Sequence, residues 1–439
     1  MRAWAWAGSV ALVLADSSIV TLALPDMLRE FDATVFGISW VLTAFNVVLA
    51  AAVLPAARAA QGRPAATWAA GLAVFAAASL ACAVAPSLAV VIAGRCAQAL
   101  GGAAVVAGAI ELLAGARGSH RAAAPGWGTA GVVGLAVGPA VGGALTELLS
   151  WQSIFALQVP AVLAAPAVLA RPAIAVEPGS AGRVDLRPEI ALGLLSAALT
   201  GALFLLVVML IEGWRNGPLA AAAIVSVMPA ATLAASALAR RVGSGGPAIG
   251  GGAVAIAGGL AALGLLPGAA AGWTLAPQLL VGAGIALALP GLTDRALRGR
   301  DPQGRRAAAT IAARHAGIVL GILLLTPIFS AELDDQHDAA LRAGTALVLD
   351  AALSPQVKVA VGEAVSARVE RAGGRLPRLS GALQTVAAPP QARPELRRLE
   401  RALEEEVDKA ATHAFSTSFL MAAALALLAL AAIGWRGGR

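Results

Sequence analysis

Apolar runs of about twenty residues alternate with short polar links along most of the chain. A bilayer-spanning helix needs roughly 20 mainly apolar residues. By that measure spans fall near 4–24, 38–57, 66–84, 88–113, 124–146 and 153–170. A polar link at 171–188 follows, and a second set lies near 190–211, 218–239, 248–266, 273–292, 307–330 and 414–435. The pattern predicts an all-α membrane protein in which six spans are followed by six more. Residues 1–170 would form one unit, 171–188 a cytoplasmic linker, 189–330 the first five helices of a second unit, and 413–439 its last helix and tail.

Residues 331–412 break the alternation. They are hydrophilic, with acids and bases nearly balanced. Val357, Val361, Val365 and Val369 follow Ser354-Pro355 along one helical face, and Leu396, Leu399, Leu403 and Val407 follow Pro394-Glu395. AGGRLPRLSG and APPQARP between them read as loops. The segment is expected to form two or three amphipathic helices, the last able to run on into the final span. It has too few large apolar residues to promise a core of its own. Either it caps the mouth or docks a partner, or it is a tolerated insertion.

Charge orients the chain. With the N-terminus inside, the inner links carry pairs such as Arg58 and Arg63, Arg117 and Arg121, Arg240 and Arg241, and a cluster from Arg295 to Arg306. The short outer loops carry Arg29 and Arg215. That asymmetry puts both termini in the cytoplasm and residues 331–412 on the outside of the cell membrane. The halves also look related: PAARAAQGRPAATWAAG (55–71) and SALARRVGSGGPAIGGG (236–252) share arginine, glycine and proline in order before a small-residue span. Twofold repetition around a midplane site is how many secondary transporters are built.

Composition narrows the function. Apolar residues are 59% of the 439 and charged residues 13%, far from the soluble average. A net charge of +7 suggests nucleic acid in a soluble protein, but here the bases sit in inter-span links and none interleave with aromatics. Cys82 and Cys96 lie in apolar runs, and the four histidines have no metal-ligand spacing. No phosphate loop, HExxH or GxSxG occurs, so neither a cofactor nor an enzyme is expected. The first apolar run contains Asp16 and lacks a small-residue cleavage site, so it reads as a span and not a removable leader.

Ionisable residues inside the bilayer are costly and therefore candidates for function. Asp16 lies two-thirds through the first span, before Ser17, Ser18 and Thr21; Arg95 and Gln98 lie in the fourth, with Glu111 near its inner end. Arg314 and His315 lie in the eleventh, Asn46 in the second and Gln278 in the tenth. A carboxylate in a low-dielectric site can cycle a proton near neutral pH. Asp16 is thus a proton site or the acceptor for a cationic substrate, or else a structural carboxylate held by the neighbouring hydroxyls or by Arg95. Arg95 would act as its ion-pair partner. Arg314 could line a cavity or snorkel inward; His315 is not expected to carry the proton.

In the fifth span, Gly134, Gly138 and Gly142 recur every fourth residue, with Pro139 and Gly143 beside them. Such a stripe lets another helix approach backbone to backbone, and the proline weakens the helix there.

These residues resemble the drug:proton antiporter branch of the major facilitator superfamily. Asp16-Ser-Ser-Ile-Val-Thr-Leu-Ala-Leu-Pro25 is similar to that branch's first-helix motif, and Arg95-Cys-Ala-Gln98-Ala-Leu-Gly101-Gly102 to its fourth-helix RxxQGxG. Gly134-Leu-Ala-Val-Gly138-Pro139-Ala-Val-Gly142-Gly143 matches the fifth-helix antiporter motif at every glycine and proline. Trp151-Gln-Ser-Ile-Phe155-Ala-Leu-Gln-Val-Pro160 is similar to the WRxIFxINxP run, and Arg314-His-Ala-Gly317-Ile-Val-Leu-Gly321 to an RxxGxxxG segment. The loop between the second and third helices departs from the family pattern. Ala59 and Ala60 stand where an acid and an arginine are usual, leaving Arg58, Gly62 and Arg63.

The resemblance implies the major-facilitator fold of two six-helix bundles and export of a small molecule in exchange for protons, with Asp16 and Arg95 in coupling. The expected energy source is the proton motive force, and the expected partners are protons, bilayer lipid and a small lipophilic or weakly cationic substrate; nucleic acid is excluded and a monomer expected. A metabolite exporter without proton coupling, and a scaffold or sensor working through 331–412, are the alternatives.

Overall fold

The computed structural model of the chain describes residues 2–118, 123, 137–163, 185–297, 303–372 and 379–434. Gly134 and most of the 171–188 link lie outside the described residues. Those residues are almost wholly helical. In order come α1 (Arg2–Thr21), α2 (Leu24–Glu30), α3 (Val35–Gly62), α4 (Pro64–Ala83), α5 (Leu88–Arg117), α6 (137–148) and α7 (Trp151–Leu163). After the link come α8 (Arg187–Val208), which closes in a π turn at Met209–Gly213, α9 (Pro218–Val225), α10 (Val227–Val242), α11 (Gly246–Gly264) and α12 (Gly272–Leu297). The last are α13 (Gln303–Asp350), α14 (Pro355–Ala372), α15 (Arg393–His413) and α16 (Ser416–Ile433).

Ten stretches among the described residues are long and apolar enough to cross a membrane, α9 with α10 and α15 with α16 each counting as one. They fall where the hydropathy pattern places ten of the twelve spans. The described parts of α6 and α7 lie in the fifth and sixth.

Local chemistry sets the ends. Thr34 caps α3 by accepting from the Gly37 N–H at 3.0 Å. Pro64, which cannot continue the hydrogen-bond ladder of α3, starts α4. Ser87 occupies the N-cap of α5, and Gly118 closes that helix in the left-handed region at φ 80°.

The two halves repeat one packing scheme in which glycines let backbones touch. A methyl added at Gly71 of α4 would lie 2.8 Å from the Gly101 carbonyl of α5, and one at Gly101 would lie 2.8 Å from the Gly71 carbonyl. In the second half Gly252 of α11 and Gly284 of α12 stand in the same reciprocal relation, at 2.7 and 2.5 Å. Gly71 and Gly252 close the two links whose sequences look alike. Likewise Gly138 and Gly142 of α6 press on Ser18 and Ile19 of α1, while Gly317 and Gly321 of α13 press on Gly193 and Ala197 of α8. A weak sequence likeness thus corresponds to equivalent helix–helix contacts.

The halves meet along two seams. Ala307, Ala308 and Ile311 of α13 share an apolar cluster with Val53, Ala57 and Ala60 of α3. Gly143 of α6 meets α9, where an added methyl would lie 2.7 Å from the Pro218 carbonyl. Near that end the Glu147 carboxylate accepts from the Leu219 N–H at 2.7 Å, and Arg29 of α2 lies 3.5 Å from Glu212 in the π turn.

The insertion differs in detail from expectation. The eleventh helix does not stop near 330: α13 runs 48 residues to Asp350. Residues 331–350 contain good helix formers and no proline, so nothing ends the helix before Leu353-Ser354-Pro355. The segment also has a core. Val357 and Val361 of α14 pack with Leu396, Leu399 and Leu403 of α15 and with Leu379, Leu383 and Val386 from the connection between them. The two faces foreseen from periodicity are the two that meet. The connection supplies the apolar residues that a helix-by-helix count leaves out. At its base, Trp214 donates its indole N–H to Thr412 at 3.0 Å and Arg215 approaches Asp408 at 3.6 Å.

The seam between α8 and α13 yields a clean comparison. Gly321→Ala should cost about 1–3 kcal/mol, because the new methyl meets fixed backbone, whereas Gly251→Ala, with open space around it, should be neutral. Thermal unfolding of the two variants in the same lipid, followed by tryptophan fluorescence, checks this.

Candidate functional site

Asp16 and Arg95 come from helices far apart in sequence and meet where neither side chain has any solvent exposure. Arg95 Nη1 donates to Asp16 Oδ2 at 2.5 Å and to Gln98 Oε1 at 2.6 Å, while its Nε donates to the Val41 carbonyl of α3 at 3.2 Å. The guanidinium plane lies over the Phe45 ring, Cζ 4.2 Å from the centroid, with Phe155 at 5.8 Å. A cation so placed is held by carboxylate, carbonyl and ring quadrupole together.

The other carboxylate oxygen, Asp16 Oδ1, accepts from Gln158 Nε2 of α7 at 2.8 Å. Gln98 Nε2 in turn donates to Gln158 Oε1 at 2.6 Å and to Ser79 Oγ of α4 at 2.8 Å. Four helices therefore contribute side chains to one hydrogen-bonded network around a single ion pair, α1, α4, α5 and α7, with Arg95 Nη2 left without a partner among the described residues. The hydroxyls after Asp16 take no part. Ser18 Oγ donates to the Ala15 carbonyl at 2.8 Å and Thr21 Oγ1 to the Ser17 carbonyl at 2.6 Å. Of the partners open to Asp16 from sequence, the arginine is the one it has.

Gln158, Ser79, Phe45 and Phe155 join the site through tertiary contacts that the sequence does not mark. Gln158 left a trace, being a polar amide in the apolar run between Phe155 and Pro160. Phe45 left none, because a phenylalanine in an apolar helix reads as core.

The remaining candidates lie elsewhere. His315 of α13 is buried, and its Nδ1 lies 2.5 Å from Asn46 Oδ1 of α3. Asn46 Nδ2 donates to the Leu42 carbonyl at 2.7 Å, so Oδ1 is the acceptor and the imidazole proton sits on Nδ1. Arg314 is partly exposed and makes no hydrogen bond or ion pair among the described residues. Gln278 Nε2 donates to Thr274 at 3.0 Å, leaving Oε1 without a partner among the described residues. Arg58 and Arg63 are exposed where α3 gives way to α4, and a methyl at Gly62 would meet nothing within 4 Å. That corner of the loop carries no latch of its own among the described residues. Glycines 138, 142 and 143 bring α6 against α1 and α9, and Pro139 lies within the helix.

The family model described as Major Facilitator Superfamily matches residues 6–325. The chain belongs to that superfamily. Among solved structures, a bacterial homologue of the human lysosomal transporter Spinster, in an inward-facing and unoccupied conformation, is similar with a TM-score of 0.64 at 15% identity, covering 98% of this chain and 96% of that one. This likeness carries the fold alone. The methylenomycin A resistance protein of Bacillus subtilis is 32% identical over 207 residues, 44% of each chain. The multidrug resistance protein Stp of Mycobacterium tuberculosis is 32% identical over 153 residues, 34% of this chain and 28% of its own. The cephamycin export protein CmcT of Amycolatopsis lactamdurans is 33% identical over 153 residues, 34% and 32%. The matched stretches span less than half the length of each of these relatives. Facilitators are membrane transporters, not enzymes, and these matched relatives are named for drug or antibiotic resistance and export.

Removing one partner of the buried pair should be worse than removing both. Asp16→Leu leaves the Arg95 charge uncompensated and should cost about 3–5 kcal/mol. Asp16→Leu combined with Arg95→Leu should regain much of that. A double-mutant cycle on thermal unfolding, with the protein in lipid nanodiscs, checks the sign.

Proposed function

We propose that this facilitator exports a small lipophilic compound across the cell membrane in exchange for protons, with Asp16 carrying the proton. The observation that supports this reading most is the buried hydrogen-bond network around Asp16. A carboxylate whose two oxygens are shared between Arg95 and Gln158 links the charge on one group to the arrangement of four helices. Protonation removes the anion that holds the guanidinium, so Arg95 would leave Val41 and Gln98 and loosen α5 from α1 and α7. Loss of the proton would restore the pair. The cycle thus couples a proton to helix packing, and the glycine seam between α6 and α9 and the alanine-rich seam between α3 and α13 are where the halves would move against each other. Both termini are assigned to the cytoplasm, and the insertion to the outer side as a cap over the mouth of the transport path.

The resistance and export names of the matched relatives agree with an exporter, and the glycine–proline stripe of α6 agrees with the antiporter branch. A facilitator that moves its substrate without protons would keep the fold but have no need of the network.

Two experiments test the reading. Asp16→Asn should abolish efflux driven by an imposed pH gradient in proteoliposomes; full proton-driven efflux by this variant would end the assignment. Gly143→Val adds bulk against the Pro218 carbonyl where α6 meets α9, so the unfolding temperature should fall, as for Gly321→Ala, and transport by the protein that still inserts and folds should fall at least tenfold.

A further inference from the structure

Among the described residues one cation within a membrane-spanning helix has no acid beside it. Asp16 and Arg95 cancel one another, and Arg306 near the start of α13 lies 3.9 Å from Glu189 of α8. Arg314, two turns further along α13, has neither an acid nor a hydrogen-bond acceptor beside it among those residues.

Its direction follows from its neighbours on the helix. At about 100° per residue, Arg314 stands about 60° from Gly317, which presses on Gly193 of α8, and about 100° from His315, which bonds Asn46 of α3. The face turned to lipid is marked by the exposed Ala316, Leu320 and Leu323 on the other side of Gly317. Arg314 therefore points between α8 and α3, into the space between the two halves.

A guanidinium in such a place is costly unless an anion meets it, and it offers a planar fork matched to a carboxylate. We infer that Arg314 is the recognition group for an acidic function, a carboxylate in the first instance, on the transported compound. This rests on the export reading for the word transported, but not for the binding. It also revises the expectation of a neutral or weakly cationic substrate. A cation would need a free acid, and Asp16, the acid that sequence offers for that role, is already engaged by Arg95 and Gln158.

The test uses the full-length protein in nanodiscs and three fluorescent probes: dansylglycine, which carries a carboxylate, dansylglycinamide, its neutral twin, and ethidium, a cation. Wild type should bind dansylglycine at least tenfold more tightly than the amide. Arg314→Gln should remove that preference and leave amide binding unchanged, whereas Arg314→Lys should keep part of it. Wild type with no preference for the carboxylate overturns the inference, as does tighter binding of ethidium than of dansylglycine or an equal loss for all probes in Arg314→Gln. Thermal unfolding gives a second check. Arg314→Met should not lower the unfolding temperature, since it removes a charge with no partner to abandon; a large drop would mean that Arg314 is held by an acid of the protein itself, and would also overturn the inference. Carboxylate preference in a protein that shows no pH-driven transport supports the binding site while it ends the proton-exchange reading.

Discussion

The packing of the first half turns on one ion pair buried away from solvent. Taking a carboxylate and a guanidinium out of water is expensive, and mutual attraction offsets the cost only when the remaining donors and acceptors are also met. Here most are met, by Gln98 beside Arg95, Gln158 on Asp16, Ser79 behind both amides and the Val41 carbonyl on the guanidinium edge, while Arg95 Nη2 has no hydrogen-bond partner among the described residues. Such a network has a narrow geometry, so it fixes the mutual register of α1, α4, α5 and α7.

Around it the helices are held by shape. Lipid tails give apolar helices little hydrophobic reason to associate, so close backbone approach supplies much of the attraction. Gly71 with Gly101, and Gly252 with Gly284, form that contact once in each half. Gly138 and Gly142 against α1, and Gly317 and Gly321 against α8, form another. Seams between bare backbones hold without interdigitated side chains, and are the kind along which packed helices can shift by small amounts. The ion-pair network is not repeated at the second site. There the α13 stripe carries Arg314, a cation with no acid among the described residues, so the scaffold is symmetric but the electrostatics are not.

The insertion is tied to this machinery through its helices. α13 is continuous from the inter-half seam to Asp350, and α15 is followed after a two-residue break by α16. Trp214–Thr412 and Arg215–Asp408 fix its base to the end of α8. Burial raises the Asp408 carboxyl above its usual range, with Arg215 opposing that shift. A movement of α13 would carry the insertion with it, since no flexible joint intervenes.

Hydropathy and charge in the sequence alone determined the membrane class, the positions of the spans, the amphipathic faces of the insertion and the identity of the embedded ionisable residues. All of these follow from local composition and the period of the helix, which need no knowledge of neighbours. The glycine stripe of α6 was legible for the same reason, although which helices it meets was not. Tertiary structure alone decided the pairing of Asp16 with Arg95 across 79 positions, the entry of Gln158 and Phe45 into that site, the bond between Asn46 and His315, and the direction in which Arg314 points. Those are long-range contacts between helices whose rotation is set by packing, and no periodicity within one helix specifies which face its partner sees. The length of α13 lay in between. Its sequence contains no stop before 353, yet hydropathy ends the span at the membrane surface, because apolarity marks where lipid ends and not where the helix does.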